Sequence, residues 1–178
     1  MKVIRKHFTS TISFLIIVIF TQYSCSTTKL TSNKSSDFNE KIKSVYIIIN
    51  TAKSATKFSK AFGEEFKKVL MEKGTTSEIY VIEPLSLDGE KEINEKISAF
   101  NPQVLMTIIQ TEVQTNTAYM GAMKTFAGGV YDIKITTPQN ETAIWRASLE
   151  FSVNSPINMT VPGLVKDLIK KMTKDKLL

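Results

Sequence analysis

The sequence predicts a single α/β to α+β domain: a mixed sheet built in the order β-α-β-α-β, then an antiparallel β-hairpin and a C-terminal helix. Three observations predict it. From Val45 to Thr111, short apolar runs alternate with amphipathic stretches of helical period, which points to parallel strands joined by crossover helices. Two stretches of period two follow, separated by the turn signal Pro138-Gln139-Asn140-Glu141. A last amphipathic segment then runs to the end of the chain. The 178 residues have room for one such domain with a real core.

Each element has its own warrant. "VYIIIN" (45–50) is a continuous apolar run of strand length. The helix that follows places Phe58, Phe62, Phe66, Val69 and Leu70 on one face and Lys57, Lys60, Glu64, Lys67 and Lys68 on the other. Burying the three phenylalanines is worth on the order of 5–8 kcal/mol before entropy is charged, which marks that stripe as core. Gly74, after Lys73, is a natural stop. "EIYVIE" (78–83) is a second strand, closed by Pro84. Asp88 can cap a second helix with an apolar face of Ile93, Ile97 and Phe100, ended by Asn101-Pro102 because the residue before proline avoids helical angles. "QVLMTIIQT" (103–111) is a third strand. In the hairpin, Tyr131, Ile133 and Ile135 alternate with Asp132, Lys134 and Thr136, and Trp145, Ala147 and Leu149 with Arg146, Ser148 and Glu150, so one face is buried. Thr160 is expected to cap the last helix, with Pro162 in its first turn and a stripe of Val165, Leu168, Ile169 and Met172.

The N-terminus reads differently. "MKVIRKH" is basic and "ISFLIIVIF" (12–20) is apolar, which together make a signal peptide too short to span a bilayer comfortably. Ser24 and Cys25 follow, and Cys25 is the only cysteine in the chain. This arrangement resembles a bacterial lipoprotein signal of the Bacteroidetes type, in which a small residue precedes a cysteine that is acylated and becomes the new N-terminus. Gln22 and Tyr23 depart from the usual residues of that box. The resemblance implies residues 1–24 as signal peptide, Cys25 as the acylated residue, and an envelope location, at the outer membrane facing the periplasm. Residues 26–43 are polar with almost no apolar periodicity. They are expected to be a flexible tether spanning about 20–25 Å, which leaves 44–178 as the folded domain.

Composition narrows the chemistry. The net charge is +6, but setting aside Lys2, Arg5 and Lys6 leaves 20 basic against 17 acidic residues, a net of +3, which is no footprint of a nucleic-acid binder. Past Cys25 there is no histidine, since His7 lies in the leader, and one cysteine cannot build a thiolate metal cluster. Neither a metal nor a cofactor is expected. Ser54-Ala55-Thr56-Lys57 is an S-x-x-K at a helix start, the opening of a serine-hydrolase constellation. The partner motifs that chemistry needs are out of order: Lys124-Thr125-Phe126 precedes Ser152-Val153-Asn154 and lacks its glycine. Helix capping by Ser54 or a neighbour is the plainer reading, and no enzymatic role is expected.

The long connection "EVQTNTAYMGAMKTFAGG" (112–129) carries Tyr119, Met120, Met123 and Phe126 among glycines. It is either a loop whose soft apolar side chains dock on a partner, or an extension of the flanking strands that folds its aromatics onto the core. Lys166, Lys170, Lys171, Lys174 and Lys176 present a charged helix face that can meet anionic headgroups or simply be solvated.

The element order, with "VYDIKI" and "AIWRA" in the hairpin, resembles a family of envelope domains. It includes the amino-terminal domain of the translocation protein TolB, the curli-secretion lipoprotein and lipoprotein activators of peptidoglycan synthases. Those domains typically place an aspartate and a glycine at the hairpin turn, where this chain has Thr-Thr-Pro-Gln-Asn-Glu. The resemblance implies an adaptor that binds another envelope protein or, as an alternative, a self-assembling subunit and so a homo-oligomer.

Overall fold

The structure, a computed structural model, describes residues 28–83, 86–117, 124–153 and 156–178. It is a single mixed sheet with helices on both faces. In chain order the elements are β1 (Thr28–Lys34), β2 (Ser44–Asn50), α1 (Thr56–Glu72), β3 (Thr76–Ile82), α2 (Glu90–Phe100), β4 (Val104–Thr117), β5 (Lys124–Thr137), β6 (Asn140–Ser152) and α3 (Ile157–Lys174). The sheet order is β1-β6-β5-β4-β2-β3. β2 pairs parallel with both β3 and β4, and the other neighbours are antiparallel. The α+β class and the predicted element order are therefore present, with one strand added at the front.

That added strand corrects the tether. Residues 28–34 are not free: they pair antiparallel along β6, from Thr28 opposite Phe151 to Lys34 opposite Trp145. Beyond β1, Phe38 packs against the core, Ile42 is buried, and the Ile42 N–H donates to Leu177 O at 2.8 Å. Only Leu30 is apolar within "TKLTSNK", so periodicity gave no strand signal. An edge strand held by its backbone ladder can be polar on both faces.

The core lies between the sheet and the α1–α3 layer. Phe58, Phe62, Phe66 and Leu70 of α1 and Leu164, Val165, Leu168, Ile169 and Met172 of α3 are buried against Ile47, Met106, Ile133, Ile135 and Trp145 of the strands. Phe58 is a hub, with ring centroids 5.0 Å from Phe151, 5.1 Å from Phe126, 6.1 Å from Phe62 and 6.3 Å from Tyr131. α2 lies on the opposite face, where Phe100 meets Tyr46 edge-on at 5.9 Å. Past α2, the outer face of β4, β5, β6 and β1 carries no helix among the described residues.

Three helix starts differ from expectation. α1 begins through a 3-10 turn, Lys53–Ala55, in which the Ala55 N–H bonds to Ala52 O at 2.8 Å, and no side chain caps it. Ser54 is exposed there and does not act as a cap. At α2 the Gly89 N–H donates to Glu92 Oε2 at 2.9 Å, while Asp88 turns away to accept from Tyr80 Oη, at 2.9 Å, and from Lys96. α3 starts a turn earlier than Thr160, after Pro156, and the Thr160 hydroxyl donates to Pro156 O at 3.3 Å from inside the helix. Pro156 is the last extended residue, and its carbonyl already accepts from the Met159 and Thr160 N–H groups at 2.9 and 3.1 Å, so the first turn closes before Thr160 can cap it.

Candidate functional site

Three surfaces carry the residues singled out by sequence. The first is the 112–129 stretch. Its described parts extend β4 to Thr117 and begin β5 at Lys124, so it forms the arm of a long hairpin. Two register shifts, at Gln110/Glu112 and Gln114/Thr115, bend this ladder where Gly128 and Gly129 face it. Gly128 has φ of +127°, and a Cβ on Gly129 would sit 2.1 Å from Glu112 O, so these glycines are there for backbone approach. Phe126 is half-buried in the Phe58–Phe151 cluster and is committed to the core. Tyr119, Met120 and Met123 lie outside the described residues, as does Cys25.

The second surface is the helix layer. α1 and α3 pack side by side, and between them runs a groove of about 690 Å³ floored by Val69, Pro162 and Ile169 and rimmed by Lys73, Lys166, Lys170 and Lys174. The last three fall at i, i+4 and i+8, one stripe of α3. These four lysines are exposed, and none forms an ion pair with a described residue. Lys171, from the same run, is instead turned to Asp175 at 3.3 Å. Thr28, the first described residue, shares a smaller depression with Lys170, Lys171 and Lys174. The sequence marked the α3 lysines, but Lys73 was missed because only the packing of α1 on α3 brings it to them.

Asp175 is the latch of this layer. Its carboxylate accepts from Trp145 Nε1 at 2.8 Å and from Ser32 Oγ and Lys171 Nζ, so it joins β6, β1 and α3. Burial alone would raise its pKa. The hydrogen bonds from Ser32, Trp145 and Lys171 outweigh that and hold it below the ordinary carboxylate value.

The third surface is the open sheet face, a shallow depression of about 570 Å³. Across it Lys134 of β5 stands directly opposite Arg146 of β6, with Asn33 of β1 and Thr107 of β4 in the same row. Asp132 and Ser148 form the next row. Ser54 and Lys57, exposed on the start of α1, are not gathered into either depression. Among the described residues no group of three or more His, Cys, Asp or Glu could hold a metal ion, and no helix is long and apolar enough to cross a membrane.

The sequence matches no protein-family model and no curated protein. Its fold does match solved structures. Two are PelC from Paraburkholderia phytofirmans, described as dodecamers: one is 11% identical with a TM-score of 0.51, covering 80% of this chain and 95% of that one. The other, a single-substitution variant of the same protein, is 13% identical with a TM-score of 0.50, covering 80% and 94%. A looser likeness is to lipoprotein GNA1162 from Neisseria meningitidis, 15% identical with a TM-score of 0.39, covering 74% and 98%. At these identities the likeness to PelC is one of fold.

Proposed function

We propose that this chain is a non-enzymatic envelope lipoprotein, held at a membrane by acylated Cys25, that works by binding another envelope component. The observation that carries the reading is that the chain is already paired in the sheet at Thr28, three residues after Cys25. An acyl group on that cysteine is joined almost directly to a packed edge strand, so the anchor holds the domain itself. The Ser24-Cys25 pattern, the resemblance to TolB-type and curli-secretion domains, and the fold shared with PelC support it. The open sheet face, with Lys134, Arg146 and Asp132, is offered to a partner, and Tyr119, Met120 and Met123 of the 112–129 stretch are the candidate partner-binding residues. The outer membrane, facing the periplasm, is the location that goes with this reading.

The dodecamers formed by PelC favour a second reading, a self-assembling subunit. Crosslinking in living cells, followed by mass spectrometry and by light scattering on the purified lipoprotein, separates the two. The first reading predicts a discrete hetero-crosslink that weakens in Tyr119→Ala or Met123→Ala. Self-crosslinks alone, with a sharp multimer peak, would replace it with the second. Covalent labelling of Ser54 by a β-lactam probe would contradict both.

A further inference from the structure

We propose that the lysine-rimmed face of α1 and α3 lies flat on an anionic phospholipid surface, fixing how the anchored domain is oriented. The inference rests on the acyl-anchor reading above. Three extended residues reach only about 10 Å, so an acylated Cys25 cannot stand far from Thr28. Thr28 in turn sits in the same depression as Lys170, Lys171 and Lys174. The bilayer is therefore brought to the β1 edge of the sheet, where Thr28 adjoins the basic face.

The chemistry of the face fits that occupant. Lys73, Lys166, Lys170 and Lys174 form no ion pair with a described residue; of the carboxylates nearby, Glu65 lies 3.8 Å from Lys68 and Asp175 is bonded to Lys171, which leaves Asp167 and Glu72. Their methylene stems can lie along the apolar floor while the ammonium groups reach the headgroup phosphates. One lipidated residue beside a basic patch is the two-signal arrangement that makes membrane binding firm, and each lysine at an anionic surface strengthens it severalfold. The same placement turns the outer face of β4, β5, β6 and β1 toward the aqueous compartment, where a partner can reach it.

The test places a fluorophore on Lys170→Cys or on Asp132→Cys in the native lipoprotein, reconstituted into phosphatidylcholine vesicles with or without phosphatidylglycerol and containing a headgroup-level nitroxide quencher. With phosphatidylglycerol present, quenching is expected to be severalfold stronger at position 170 than at 132. The difference should collapse in high salt and in a Lys73→Gln, Lys166→Gln, Lys174→Gln background, all exposed positions whose change leaves the core untouched. Equal quenching at the two positions on a chain whose intact mass shows acylated Cys25 would overturn this inference alone. An unacylated Cys25 would overturn the anchor reading and this one with it. Shielding of position 170 that persists in detergent would assign the face to a second copy of the chain instead.

Discussion

Asp175 shows how one side chain decides whether several elements stay together. Its carboxylate takes hydrogen bonds from Trp145, Ser32 and Lys171. Asp175→Ala leaves the indole N–H of a buried tryptophan unpaired and should cost about 1–3 kcal/mol in urea denaturation. Because the folded-state pKa is depressed, the stability Asp175 contributes is fully present above the ordinary carboxylate range. It is lost as pH falls through the lower folded value. Stability measured from neutral to acid pH should fall less steeply in the Asp175→Ala chain than in the native one. Tyr131 is the opposite case. Its buried hydroxyl has no hydrogen-bond partner among the described residues, and burial pushes the phenol well above its usual pKa. Tyr131→Phe keeps the ring in its stack with Phe151, 5.4 Å away, and should hold or raise stability by up to about 1 kcal/mol. At Gly129 an added methyl would meet Glu112 O at 2.1 Å, so Gly129→Ala should destabilise by about 2 kcal/mol or more, read as a lower urea midpoint.

Among the elements, those whose apolar period is set by a covered face were legible in the sequence. β2, α1, the β5–β6 hairpin and the stripe of α3 each bury several large side chains, and periodicity reports burial. β1 was not legible. It carries one apolar residue in seven and is held by its ladder to β6, which no local pattern encodes. Helix starts were misread for a related reason. Asp88 and Thr160 have the right chemistry for caps, but Tyr80, Lys96 and Pro156, brought to them by tertiary structure or by the preceding turn, claim their hydrogen bonds. In hydrogen exchange, the ladder amides of 28–34 should be protected nearly as well as those of β6, whereas a tether would exchange within seconds. Rapid exchange throughout 28–34 would return the segment to a linker.

At the scale of the whole molecule, the two faces of the sheet differ in a way that defines the account. One face is buried under α1 and α3, whose outer surface is basic and adjoins Thr28 of β1. The other is open across four strands, with the exposed Ile109 of β4 set among Lys134, Arg146 and Asp132. The lysines of α3 and the lone cysteine were visible in the sequence. The adjacency of those lysines to Thr28, and the place of Lys73 beside them, came only from the pairing of β1 with β6 and of α1 with α3. The arrangement proposed above, an anchored domain with one face for lipid and one for a partner, depends throughout on the modification of Cys25. The most direct measurement is the intact mass of the protein extracted from the membrane fraction of its native cells. A chain beginning at Cys25 with the added mass of acyl groups on that residue is expected. A chain that retains residues before Cys25, or that begins there with a free thiol, would contradict it.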